Sequence, residues 1–276
     1  MLRNTQDLIG TTVKATDGEV GDVQDFYFDD QAWVIRYLVV EAGSWLDSRQ
    51  VLVSPMLFSI SDWSERRLDV ARTREEIRNG PDIDTARPVS RQQEADYLAY
   101  YNYPAYWGGD GLWGGSMTPD LLPGYDAGYE PHTRRLRPPP AADGSSLGLW
   151  STDEDPHLRS CAAVAGYHVQ AVDGDIGHVD GFLVDDRTWA IRYLIINTSN
   201  WWMGHQVLIA PTWIDTISWP EKHVSVSLTR QAIQSAPAYD PLVQPDRVQE
   251  LALYNHYGGQ NVPIRADAPS AQKIDA

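Results

Sequence analysis

The chain of 276 residues contains a single cysteine, Cys161, so no disulfide can form within it. Basic residues are scarce: 22 Lys and Arg stand against 38 Asp and Glu, a formal net charge of −16. A surface of that sign repels phosphate backbones and anionic lipid, so neither nucleic-acid nor membrane-surface binding is expected. No run approaches the roughly 20 apolar residues that a membrane helix needs, and no membrane insertion is expected. The opening MLRNTQDLIG lacks a basic segment followed by an apolar one. No secretory signal is read there, and the expected location is cytoplasmic.

Signatures of catalysis are missing as well. There is no H-x-x-x-H or H-E-x-x-H pair, no G-x-S-x-G turn, no phosphate loop and no dinucleotide fingerprint. The seven histidines, His132, His157, His168, His178, His205, His223 and His256, read as structural or surface residues. Asp29-Asp30 and Asp185-Asp186 fall where hairpins turn and read as solvated turn acids. Cys161 has Arg159 as its basic neighbour, which does not make an activated thiolate. No catalytic residue, metal ligand or cofactor is assigned.

What the chain does possess is a second copy of one segment. Residues 10–55 read GTTVKATDGEVGDVQDFYFDDQAWVIRYLVVEAGSWLDSRQVLVSP, and residues 166–211 read GYHVQAVDGDIGHVDGFLVDDRTWAIRYLIINTSNWWMGHQVLIAP. The offset, Gly166 against Gly10, is 156 residues without a gap, and about 20 of about 46 aligned positions are identical. Solenoid units run roughly 20 to 50 residues, so a period this long marks a duplicated domain.

Within each copy the residues alternate as short strands. Residues 13–16 are extended and lead into Asp17-Gly18, repeated as Asp173-Gly174, a dipeptide that favours a hairpin because glycine accepts positive φ. Gly21 and Gly177 come three positions later and suggest a bulge or sharp bend. The strand 33–40, matched by 189–196, is apolar on both faces, so both faces are covered. Trp33, Trp189, Trp63 and Trp219 recur between copies and read as core. Arg36 and Arg192 lie among those apolar neighbours, and a buried arginine needs a carboxylate or carbonyl partner. They are candidate polar residues at an interface between barrels, read as internal ion pairs or as ligand-binding arginines.

Each copy closes with helical signals. Thr73-Arg74-Glu75-Glu76 is a capping box, and Thr229-Arg230-Gln231-Ala232 keeps the cap without the glutamate. A second helix begins after Ser90, and its counterpart starts near Asp246. Between the copies, residues 104–160 are too rich in Gly and Pro for regular structure. Their unrepeated aromatics, Tyr106, Trp107, Trp113 and Trp150, form the candidate interaction surface, since Trp and Tyr clusters anchor protein interfaces. The other reading is that these rings fasten the linker to its own barrel. The domains read as 1–103, a linker 104–160, 161–258, and a disordered tail 259–276.

Three motifs, taken together, resemble the PRC-barrel family. They are the D-G-x-x-G turn (Asp17, Gly18, Gly21; Asp173, Gly174, Gly177), the D-D-x-x-W-x-I-R-Y-L strand (29–38; 185–194) and the W-x-x-x-x-Q-V-L-x-x-P run (45–55; 201–211). That family includes the cytoplasmic domain of the photosynthetic reaction-centre H subunit and a domain of a ribosome-maturation factor. The resemblance implies a mainly β chain with two small, antiparallel, six-stranded barrels and short helical extensions, and it brings no catalytic residues. The function expected is a non-enzymatic tandem barrel that binds or scaffolds another protein, with pseudo-twofold pairing of the barrels inside one chain. One alternative is a small-molecule binder or enzyme with a site between the barrels, drawing on Arg36, Arg192, Asp25 or His178. The other, by family analogy, is a ribosome- or RNA-associated factor.

Overall fold

The computed structural model describes residues 1–43, 49–81, 89, 91–107, 109–119, 157–198 and 205–258. Trp150, Ser90, Trp45, Trp201, most of the linker and the tail 259–276 lie outside the described residues. The chain divides into two units: Met1–Gly166 with Asp180–Leu194, and Tyr167–Val179 with Ile195–Ala276.

In chain order the first repeat builds β1 (Leu2–Asn4), α1 (Thr5–Leu8), β2 (Thr12–Ala15), β3 (Gly18–Asp29), β4 (Val34–Ala42), β5 (Arg49–Val53), β6 (Phe58–Asp62), β7 (Arg67–Val70), α2 (Arg74–Arg78) and α3 (Arg91–Tyr100). The second builds β8 (Leu158–Ser160), α4 (Cys161–Val164), β9 (His168–Ala171), β10 (Gly174–Asp185), β11 (Ile191–Asn197), β12 (Gln206–Ile209), β13 (Ile214–Ser218), β14 (His223–Val226), α5 (Arg230–Gln234) and α6 (Arg247–Gly258). Most of these pairs begin and end at residues 156 apart. The correspondence extends back to Leu2-Arg3 and Leu158-Arg159, inside the stretch whose composition reads as linker.

The protein is mainly β, with two seven-stranded sheets and few helices. One sheet runs β5-β4-β3-β2-β7-β6 with β8 added on β3; the other runs β12-β11-β10-β9-β14-β13 with β1 added on β10. β2 pairs with β7 and β9 with β14 in parallel, whereas β3 pairs antiparallel with β2, β4 and β8, β4 with β5, β6 with β7, β10 with β1 and β9, and β13 with β14. Closed six-stranded barrels were expected, but the ladders do not draw them: among the described residues β5 does not pair with β6, nor β12 with β13. Pro55 and Pro211 open 3-10 turns (Pro55–Leu57, Pro211–Trp213) after β5 and β12 and end those strands. A proline ring carries no N–H to continue a ladder.

Local chemistry explains the regular parts. Val34, Ile35, Arg36, Tyr37, Leu38, Val39 and Val40 are all buried, as a strand covered on both faces requires. The register of β2 on β3 shifts between Val13 and Lys14, and that of β9 on β10 between Asp175 and Gly177, so both glycines sit beside bulges. A Cβ on Gly21 would lie 1.7 Å from Glu41 O, and one on Gly177 would lie 1.9 Å from Asn197 O. Thr73 and Glu76 form the full capping box of α2; Thr229 caps α5 alone. The turn aspartates also reach these helices: Asp17 Oδ1 accepts from Arg74 N at 2.8 Å and Asp173 Oδ1 from Arg230 N at 2.7 Å.

Inside the first unit the two repeats exchange strands reciprocally. Leu2 pairs with Asp185 in β10, and Leu158, its equivalent, pairs with Asp29 in β3. Ion pairs repeat the exchange. Arg3 Nε lies 3.0 Å from Asp186 Oδ2, and Arg159 Nε lies 3.0 Å from Asp30 Oδ2. The acidic pairs are therefore not solvated turn residues, because the exchanged strands cover them; burial raises the Asp30 carboxyl above its ordinary pKa despite Arg159.

Candidate functional site

Three of the sequence candidates meet in the first unit. Arg36 projects from β4 and is 2% exposed. Its Nη2 lies 3.3 Å from Asp29 Oδ2 on β3, and its Nη1 donates to Leu112 O. The guanidinium lies 3.8 Å from the ring centroid of Tyr106 and 4.8 Å from that of Trp113. Planar, weakly hydrated and permanently charged, a guanidinium is the cation suited to stacking between rings while bonding a carboxylate. The remaining oxygen of Asp29 accepts from Gln31 N and Ala32 N, both at 3.0 Å, which holds the carboxylate in place.

Residues 104–107 and 109–116 form a strap over this arginine. Tyr106 is 4% and Trp113 6% exposed, while Trp107 is half-buried. Trp113 Nε1 donates to Thr188 O at 2.8 Å, so the tryptophan keeps a partner for its polar edge. The strap coils tightly through bridges Gly111–Gly114 and Trp113–Ser116. A Cβ at Gly109 or Gly111 would meet backbone at 2.4 or 2.3 Å, so the glycine-rich composition serves close backbone approach.

Behind the strap lies a buried carboxylate, Glu94 of α3. It accepts from the Tyr106 hydroxyl and, at 3.2 Å, from Arg91 Nη1. His157 Nε2 lies 2.7 Å from Glu94 Oε2, at ion-pair distance though not aligned as a hydrogen bond. Arg91 stacks 4.5 Å from the Trp107 ring. Burial, then the Glu94 carboxylate, pushes the Tyr37 and Tyr106 hydroxyls well above the ordinary tyrosine range. The cluster is thus a closed set of charges neutralising one another, able to fasten a segment of chain.

Arg192 does not share this environment: it is exposed, whereas Arg36 is enclosed. Tyr106 and Trp113, candidates for an outward surface, point into the first unit, where Glu94 accepts the Tyr106 hydroxyl and Thr188 O accepts the Trp113 indole N–H. Glu94 was not singled out in the sequence, and His157 was read there only as a structural or surface histidine. Arg91 three residues before Glu94 was the one local signal for this pair, and nothing in the chain ties position 94 to position 157.

A second feature of the first unit is a cavity of about 270 Å³. Its twelve lining residues are six pairs at the offset of 156, among them Thr5 with Cys161, Asp25 with Gly181, and Phe26 with Phe182. Asp25 accepts from Phe26 N at 2.7 Å, Ala162 N at 3.0 Å and the Ser160 hydroxyl. Burial still raises its carboxyl above the ordinary aspartate range. Burial, then the charge of Asp25, pushes the Cys161 thiol up, which keeps it protonated and weakly nucleophilic.

No curated protein matches the chain. Residues 3–68, from β1 into β7, match the family model of the PRC-barrel domain, so this stretch of the first repeat is a PRC-barrel domain by sequence.

Proposed function

We propose that both repeats are PRC-type barrels of six strands, that they arose by tandem duplication, and that the chain is a cytoplasmic, non-enzymatic module that binds and scaffolds another protein. The reciprocal exchange of β1 and β8 carries this reading. Two copies of a single-barrel protein would make such an isologous contact across a dimer axis; here one chain supplies both halves. The polar groups best suited to chemistry support it too. Arg36, Asp29, Glu94 and His157 are buried against one another, and Cys161 is held as a thiol. The test is affinity capture with the intact chain, then titration calorimetry of the chain with each captured protein after purification. A stoichiometric complex is expected. A chain that forms no such complex and turns over a small molecule would overturn the reading.

A second reading rests on the cavity around Asp25. Its volume suits a small ligand bearing a hydrogen-bond donor or a positive charge, and the lining holds no Lys, Arg or His to oppose one. Small amines screened by chemical-shift perturbation would test it, with loss of the shifts expected in Asp25→Asn.

A further inference from the structure

Helices α3 and α6 start at equivalent residues, Arg91 and Arg247, and are seated alike. Tyr100 Oη of α3 donates to Glu76 O at 2.9 Å; at the equivalent positions, His256 Nε2 of α6 lies 2.8 Å from Ala232 O. Tyr97 on α3 and Tyr101 just after it are buried, as are the equivalent Leu253 and Tyr257 on α6. With the seat fixed, the neighbouring face is fixed as well: positions 91, 94, 95 and 98 on α3, and 247, 250, 251 and 254 on α6, the i, i+3, i+4, i+7 spacing of one helix side.

The strap covers that face of α3. Leu98 is 2% exposed and Glu94 fully buried. Tyr106 donates to Glu94, and Trp107 receives the Arg91 guanidinium. On α6 the apolar part of that face is exposed: Leu251 is 61% and Tyr254 46% exposed, and Val248 beside them is exposed, while Glu250 is half-buried and the Tyr254 ring lies 5.1 Å from that of Trp213. The charges that meet the strap are retained, Arg247 for Arg91 and Glu250 for Glu94. The two helices lead into chemically different chain. Residues 103–113, after α3, include Tyr103, Tyr106, Trp107 and Trp113, whereas residues 259–276, after α6, contain no Phe, Tyr or Trp.

We propose that the face of α6 formed by Arg247, Glu250, Leu251 and Tyr254 docks an aromatic, glycine-rich segment of a partner protein, chemically like the strap that covers α3. Charge complementarity argues for this occupant: a guanidinium suits a Trp face and a carboxylate suits a Tyr hydroxyl, one turn apart, flanking an apolar spot for a second ring. The proposal deepens the interaction role above and rests on it.

A fluorophore-labelled peptide of residues 103–116, titrated onto the full chain and read by anisotropy, tests the site. Saturable binding at one site is expected. Leu251→Asp and, as a milder variant, Tyr254→Ala should each weaken it by about tenfold or more. Gln249→Ala, outside that face, should leave it unchanged, and circular dichroism of each variant checks the fold. Binding that does not saturate, or that survives Leu251→Asp, overturns the proposal. So does light scattering that finds a dimer dissolved by Leu251→Asp, since a second copy would then be the occupant. If a purified partner binds wild type and Leu251→Asp equally, the docking site is wrong while the interaction role stands.

Discussion

Trp33 and Trp189, 156 residues apart, trade main-chain bonds: Trp33 O accepts Ile191 N at 2.7 Å, and Trp189 O accepts Ile35 N at 2.8 Å. Both residues adopt left-handed backbone, with φ of 55° and 60°. A bulky residue held there is strained, and the strain persists because the surroundings over-determine it. The left-handed turn aims each carbonyl at the other repeat's strand.

The side chains of this pair are not equivalent. Trp189 is buried against Phe58 and Trp63, with centroids 5.5 and 6.0 Å away; Trp33 is half-buried and stacks on Phe28 at 5.4 Å. Trp189→Ala should cost about 3–5 kcal/mol and Trp33→Ala about half as much, because less surface leaves water-free packing. Urea unfolding monitored by far-UV circular dichroism measures both. Equal costs would show that the backbone exchange, and not ring packing, sets the energy.

Gly21 and Gly177 make a matched prediction in the two units. In each, a methyl would enter the backbone of the paired strand, at Glu41 O and Asn197 O. Strand backbone cannot give way without breaking the ladder, so Gly21→Ala and Gly177→Ala should each destabilise by more than about 3 kcal/mol or prevent folding. At Gly115 the same methyl meets nothing within 4 Å, and Gly115→Ala should stay within about 0.5 kcal/mol of wild type. Soluble yield and thermal midpoints of the three variants decide the matter.

These glycines also show what could be read in the sequence. Their recurrence three residues after a D-G turn marked the bulge directly, and the doubly apolar run from Trp33 marked a strand covered on both faces. Caps at Thr73 and Thr229 were legible for the same reason: each depends on residues close in the chain. The pairing of Leu2 with Asp185 was not, because β1 and β8 are three residues long and carry no periodicity of their own. Nor was the Glu94–His157 contact, which links a helix to a residue 63 positions later through tertiary packing alone. Arg36 was identifiable as a charge needing a partner; that Asp29, seven residues earlier, would be that partner depended on the register of β3 against β4.

Arg36 and Arg192 should respond very differently to truncation. Removing Arg36 leaves Asp29 buried without its cation and strips the strap of the group stacked on Tyr106 and Trp113, a loss of about 3–5 kcal/mol. Arg36→Lys should recover little, because an ammonium cannot bond Asp29 and lie flat between rings. Arg192→Ala, at an exposed position where water screens whatever the guanidinium touches, should change stability by less than about 1 kcal/mol. Limited proteolysis adds a local readout: cleavage within 104–116 should accelerate in Arg36→Ala and not in Arg192→Ala.

Asp25 and Glu76 should impose opposite pH dependences on stability. Burial raises the Asp25 carboxyl above its ordinary value of 3.8, so the fold prefers the protonated form. The cost of ionising Asp25 is absent below that ordinary value and complete above the raised folded value; stability is lost as pH rises through the interval between them. Glu76 runs the other way. The Thr73 N–H bonded to its carboxylate, with help from the Thr73 hydroxyl, lowers it below the ordinary 4.5. Its contribution is complete above 4.5 and lost as pH falls through the folded value. Urea midpoints from about pH 3 to 7 for wild type, Asp25→Asn and Glu76→Gln separate the two. Relative to wild type, Asp25→Asn should gain as pH rises, while Glu76→Gln should match wild type at the acid end and fall behind above it. Parallel curves for wild type and Asp25→Asn would mean that the three hydrogen bonds to Asp25 fully offset its burial.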